Sequence, residues 1–317
     1  MTDLNFTRKQ AGIKTMQQPQ INSGILQMSL AMVLSGFIGL FVFESGQSPF
    51  NVVFFRCVFG ATGLGLYCWY KGYLTKEVWV ARNITLALLG GAALVCNWIL
   101  LFSSFELASI SVSTTIYHTQ PFFLVIFGAI FLGEAFSLNK MIWLIIAFSG
   151  LVLIVNPDTE SFAGNIEMLK GAGLALGAAV LYTITTIVTK RLKQMKPHLI
   201  AFLQVSLGVV MLAPFVDLSA APSDVAPWGF LIALGLIHTC FMYIIMYSAF
   251  QKLQTPVIAV LSFIYPVVAI IVDYVFYEQN LSMMQILGIV LILLSAAAVN
   301  LGWKLLPGRN VPAKKTA

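Results

Sequence analysis

Charge is what this sequence has least of. Asp, Glu, Lys and Arg make up 9% of its 317 residues, against about 25% in ordinary soluble domains. With 59% of residues hydrophobic, the chain cannot cover itself with a water-facing surface, so an integral membrane protein is expected. Cysteine is equally sparse. Cys57, Cys68, Cys96 and Cys240 lie in apolar stretches at no regular spacing, which argues against a disulfide framework or a zinc site and for small packing residues. The three histidines, His118, His198 and His238, fall on different segments, and there is no HExxH motif, no GxGD motif and no Gly-x-Ser nucleophile turn beside a histidine. No metal and no cofactor are expected, and an intramembrane enzyme or a channel is disfavoured. The net charge of +6 is read as membrane topology rather than as a nucleic-acid footprint.

What the chain has is long apolar runs. A span needs about 20 mostly apolar residues, and ten segments meet that need: 24–43, 49–71, 83–105, 109–132, 140–157, 170–192, 198–217, 227–250, 255–278 and 284–303. All should be helical, because backbone facing lipid must satisfy its own hydrogen bonds. The polar stretch before Gly24, with no apolar run leading to a cleavage site, reads as a cytoplasmic tail. With that end inside, sixteen Lys and Arg lie on the inner side, Lys170 alone lies outside, and Arg56 sits within a span. This positive-inside bias places both termini in the cytoplasm and the protein in the inner membrane.

The sequence also repeats itself. Residues 103–150 align without gaps on 248–295, bringing Ser103 onto Ser248, Pro121 onto Pro266 and Phe131 onto Phe276. A second match, offset by 148, sets Pro49 on Pro197, Gly60 on Gly208 and Arg56 on Gln204. The expected organisation is a tail (1–23), a five-helix repeat (24–157), an outer linker (158–169), a second five-helix repeat (170–303) and a basic tail (304–317). Five spans per half invert the second half relative to the first, an arrangement of secondary transporters whose substrate binds near the midplane. The expected fold is therefore all-α, ten transmembrane helices as two inverted five-helix repeats around a central cavity.

The ten spans in two halves, "SPFNVVFFRCVFGA" on the second span and "PFFLVIFGAIFLGEAFSLNKMIWLIIAFSGLVLI" across the fourth and fifth resemble the EamA-type branch of the drug/metabolite transporter superfamily. The likeness runs from about Gly24 to Trp303. In the second half the Gly133-Glu134 pair becomes Tyr277-Glu278, one residue out of register. The resemblance implies a ten-helix fold with a central cavity and export or exchange of amino acids and related metabolites. Related small multidrug-resistance proteins carry a proton-coupling glutamate in their first helix. Here no acidic residue lies between Gly24 and Phe43, so that mechanism does not carry over.

Matched interrupted helices are the best sequence pointer to a transporter site, and Pro121 and Pro266 form such a pair. Each removes a backbone donor and clashes with the preceding turn; each could equally be a packing kink. Polar stripes at helical spacing should face a cavity or another helix. They comprise Ser111, Thr114, Thr115, His118 and Pro121; Tyr182, Thr185, Thr186 and Thr189; Thr239, Tyr243 and Tyr247, with His238 a quarter-turn away; and Ser262, Tyr265, Ala269 and Asp273. Tyr117, Gln120, Asn97 and Trp98 complete the candidate binding set. Asp273 could couple a cation or proton. Arg56 could cap carbonyls of a broken neighbouring helix or receive a substrate carboxylate. The expected function is transport of a small zwitterion such as an amino acid, by a monomer in the lipid bilayer, through alternating access. Organic cations and vitamin- or nucleoside-like metabolites are the alternative cargo.

Overall fold

The computed structural model describes residues 2–75, 80–108, 110–155, 166–278 and 282–306. Among these residues the regular structure is helical throughout, and ten segments are long and apolar enough to cross a membrane. The first span joins the later part of α1 (Thr2–Gly36) to α2 (Ile38–Glu44). The polar N-terminal stretch thus continues into the span as helix, with Pro19 inside it. Then follow α3 (Pro49–Tyr70), α4 (Ala81–Leu107), α5 (Ile110–Tyr117) with α6 (Gln120–Leu132), and α7 (Leu138–Val155). The second set comprises α8 (Ile166–Arg191), α9 (Pro197–Leu212), α10 (Val225–Gly235) with α11 (Met242–Lys252), α12 (Thr255–Leu261) with α13 (Ile264–Tyr277), and α14 (Met283–Leu301). Most of the expected linker 158–169 and of the basic tail 304–317 lies outside the described residues.

Sequence chemistry sets the ends. Pro49 and Pro197 sit in the first turns of α3 and α9, where a missing N–H costs nothing. Ser282 and Gln285 form a reciprocal capping box on α14. Gly133 ends α6 at φ 64°, a left-handed turn that glycine adopts freely, and so throws Glu134 back toward the bundle.

The spans pack in a regular scheme: α4 lies on α8 and α9, α1 on α11 and α13, α6 on α8 and α12, α3 on α9 and α10, and α7 on α14. Exchanging each span of the first five with its counterpart in the second maps these principal pairs onto themselves. Small residues let the backbones approach. Gly150 of α7 and Gly288 of α14 face each other, and a Cβ on Gly150 would lie 2.7 Å from the Gly288 carbonyl oxygen. Ala175, Ala178 and Ala179 of α8 are buried against neighbours. Large apolar side chains such as Leu26, Ile130, Val210 and Val275 point outward, as helices solvated by lipid require.

Candidate functional site

Both proline-bearing spans are broken, and at matching places. The fourth span turns at His118 and Thr119, and the ninth at Ser262 and Phe263, within one residue of each other at the offset of 145. Pro121 and Pro266 lie in the first turns of α6 and α13. Lacking N–H groups, they leave the Tyr117 and Ser262 carbonyls without the usual donor four residues on. Thr119 bonds instead to the Ile116 carbonyl at 3.0 Å, and Phe263 to that of Val260 at 3.2 Å, tightening both turns.

Aromatic side chains gather where the broken spans meet. The His118 ring stacks on Tyr265 with centroids 5.1 Å apart, joining the two breaks. Tyr117 meets His118 edge-on at 5.9 Å and Tyr182 at 6.3 Å. Tyr117, Tyr182 and Tyr265 are each half-buried. His118 Nδ1 lies 2.7 Å from the Thr114 carbonyl. A carbonyl only accepts, so Nδ1 carries a proton, and Nε2 is the nitrogen not engaged by Thr114. Asn97 donates to the Ala178 carbonyl at 2.8 Å. Its Oδ1 is buried without a partner by hydrogen-bond geometry, with the Tyr117 side chain beside it.

Arg56 supplies the charge. It is 8% exposed, and its guanidinium lies 5.5 Å from the Trp98 ring and 5.9 Å from that of Tyr243. Nε donates to Thr239 Oγ1 at 2.6 Å, and one terminal nitrogen to the His238 carbonyl at 3.0 Å. That carbonyl is available because residues Leu236–Phe241, between α10 and α11, form a π-helical segment, which widens the turn and unsettles the usual bonds. Arg56 therefore does cap a distorted neighbouring helix. Hydrogen bonds to a hydroxyl and a carbonyl do not neutralise a cation, however, and no described carboxylate pairs with it.

Other candidates go elsewhere. The His238 ring leaves the His118 group and packs on Phe41 at 4.7 Å; its carbonyl, not its imidazole, reaches the site. Tyr247 is buried and donates to Gln204 Oε1, sealing a contact between α11 and α9. Thr186 and Ser262 bond back to the Tyr182 and Ala259 carbonyls of their own helices, the common fate of membrane hydroxyls. Gln120 is buried, and its carbonyl accepts from Thr183 Oγ1 at 3.4 Å. The side chains of Ser111 and Asp273 lie outside the described residues, and with them the coupling role considered for Asp273.

One cluster was not singled out from sequence. Glu134, just past α6, accepts from Thr255 N at 2.7 Å and Thr255 Oγ1 at 2.8 Å, and pairs with Lys190 Nζ at 3.2 Å. Lys190 also donates to the Leu253 carbonyl. This latch ties the end of the fourth span to the start of the ninth and the end of the sixth. The sequence marks Glu134 in two ways, as part of the Gly133-Glu134 pair and as an acidic residue at the end of the bundle where Lys and Arg collect, but neither names its partners.

Similarity to known proteins agrees with this architecture. A solved crystal structure superposes with a TM-score of 0.78 over 90% of this chain and 98% of its own, at 18% identity, so the fold is shared. An uncharacterized transporter of Bacillus subtilis, YxxF, is 33% identical over 87% of this chain and 90% of its own length. The pseudopaline exporter CntI of Pseudomonas aeruginosa is 23% identical over 88% and 96%. The model of the EamA-like transporter family matches twice, at residues 22–156 and 169–301, once in each half. Ten apolar spans, two sets of five that match one family model, and a whole-length relative at this identity place the chain: it belongs to the EamA-like transporter family.

Proposed function

We propose that this transporter carries a small carboxylate-bearing metabolite, an amino acid or a related zwitterion, across the inner membrane by alternating access. The observation that carries the reading is Arg56, a permanent cation in the bundle with aromatic faces beside it and no carboxylate partner among the described residues. A substrate carboxylate would complete a charge-assisted pair there. The Trp98, Tyr243, Tyr182, Tyr117 and Tyr265 rings would take its apolar part, and His118 Nε2 and Asn97 Oδ1 would accept from its ammonium. The same arginine disfavours organic cations. At an effective dielectric of about 20, a like charge about 4 Å away costs roughly 4 kcal/mol.

The symmetric packing pairs and the matched breaks support two halves related by an inverted repeat, rocking about a midplane site. In this reading the Glu134 latch closes the inner end. The Lys and Arg distribution supports cytoplasmic termini, and the word exporter in one relative's name supports outward movement. A bundle with its own enclosed site suits a monomer.

Counterflow in proteoliposomes loaded with single amino acids tests the reading. Saturable exchange of at least one aromatic or aliphatic amino acid is expected. It should fall by about 30-fold or more in Arg56→Gln, the consequence of truncating a buried charge partner. Amines that lack only the carboxylate should not exchange. Equal exchange of such amines, or no exchange of any amino acid by folded protein, would sink the proposal.

A further inference from the structure

A second site, away from the central one, lies at the end of the bundle where Lys and Arg collect. There the first two turns of α4, the end of α8 and the loop after it line an open cavity of about 920 Å³, in the upper part of the range for small-molecule pockets, roughly 300–1,000 Å³. Arg82, Arg191 and Lys193 bring three cations to it, and no described carboxylate lines it. The floor is preformed. Gln251 Nε2 donates to the Leu192 and Met195 carbonyls at 3.1 and 3.2 Å, pinning the loop. Arg191 is fixed by a 2.7 Å bond to the Phe131 carbonyl and by the Phe131 ring. The side chain of Val80, the N-cap of α4, makes no capping bond, so the positive end of this long helix adds to the field.

We propose that this cavity binds the phosphate headgroup of an anionic phospholipid. The phosphate would sit among Arg82, Arg191 and Lys193, and the glycerol and upper chain against Leu86, Leu192 and Met195. Two observations favour a lipid over a soluble phosphate ester. Trp69 and Tyr70, at the same end of α3, are 73% and 78% exposed and directly precede Lys71, which lies 5.4 Å from the Tyr70 ring. Large amphipathic rings held outward beside a cation mark the headgroup level of a bilayer. The lining also mixes apolar side chains with the cations, as basic pockets that hold lipid headgroups between membrane helices do.

The test is native mass spectrometry and thermal unfolding of the detergent-purified full chain, titrated with phosphatidylglycerol, phosphatidylcholine or inorganic phosphate. Phosphatidylglycerol should bind saturably and raise the unfolding temperature, and phosphatidylcholine should not. Arg82→Gln/Lys193→Gln should weaken phosphatidylglycerol binding about tenfold or more. Both residues are exposed, so lipid-free unfolding of the variant should match wild type. Lys304→Gln, at the same end outside the cavity, should keep full affinity. Unchanged affinity in the double variant, or binding of phosphatidylcholine as tight as phosphatidylglycerol, would overturn the site. Equal stabilisation by millimolar inorganic phosphate would overturn the lipid as its occupant.

Discussion

Removing Glu134 tests the latch most directly. Lys190 is 4% exposed and Glu134 18%, so Glu134→Ala leaves a buried ammonium with only the Leu253 carbonyl as a described partner. Breaking a buried pair from one side costs about 3–5 kcal/mol, and the partial exposure of Glu134 argues for the lower end. The substitution also uncaps α12. Gln254, its N-cap residue, makes no side-chain capping bond, so Glu134 supplies the acceptor for Thr255 N, worth about 1 kcal/mol. The expected loss is about 3–4 kcal/mol. Glu134→Gln should lose less, because an amide oxygen can still accept from Thr255. Glu134→Gln/Lys190→Met should be more stable than Glu134→Ala, since replacing both charges removes the orphaned ion. Unfolding can be followed by thiol labelling, as Cys57 and Cys68 are free and fully buried. If Glu134→Ala unfolds within 0.5 kcal/mol of wild type, roughly the scatter of neutral surface changes, the latch holds nothing. If the double variant shows simple additivity, Glu134 and Lys190 are not coupled.

Two further substitutions probe packing between spans. Tyr247→Phe removes the donor to Gln204 Oε1, and Gln204 Nε2 is already buried without a partner. It should cost about 1–3 kcal/mol, read by denaturant titration, and Gln204→Leu in the same background should recover part of the loss. Gly150→Ala sets a methyl 2.7 Å from the Gly288 carbonyl oxygen. Backbone cannot swing aside as a side chain would, so the α7–α14 crossing must widen at a cost of about 1–3 kcal/mol. A Gly150→Ala protein as stable as wild type would show that crossing to be loose.

Much of this architecture was legible because a bilayer leaves few choices. Ten spans followed from the lengths of the apolar runs, and the breaks near Pro121 and Pro266 from the missing N–H groups. Placing them took coordinates, since a proline disrupts the turn before it: the turns fall at 118–119 and 262–263. The His118–Tyr265 stack was foreshadowed by matched stripes on the two broken spans. His238 was harder. The π-helical segment rotates its ring toward Phe41, and no periodicity of 3.6 anticipates that. The latch joins residues 56 and 121 positions apart, a pairing that local pattern cannot encode.

The position of Trp98 beside Arg56 has an optical consequence. Indole emission responds to nearby charge, and the ring centroid is 5.5 Å from the guanidinium. Of the other tryptophans described, Trp69 and Trp303 are exposed, Trp143 packs near Trp303, and Trp228 contacts Phe55 and Phe59. An anion arriving at Arg56 would change the field across one indole and leave those four as a constant background. Trp98 is thus a built-in fluorescent probe for the proposed site, and an emission titration with candidate substrates tests that proposal without label or radiotracer.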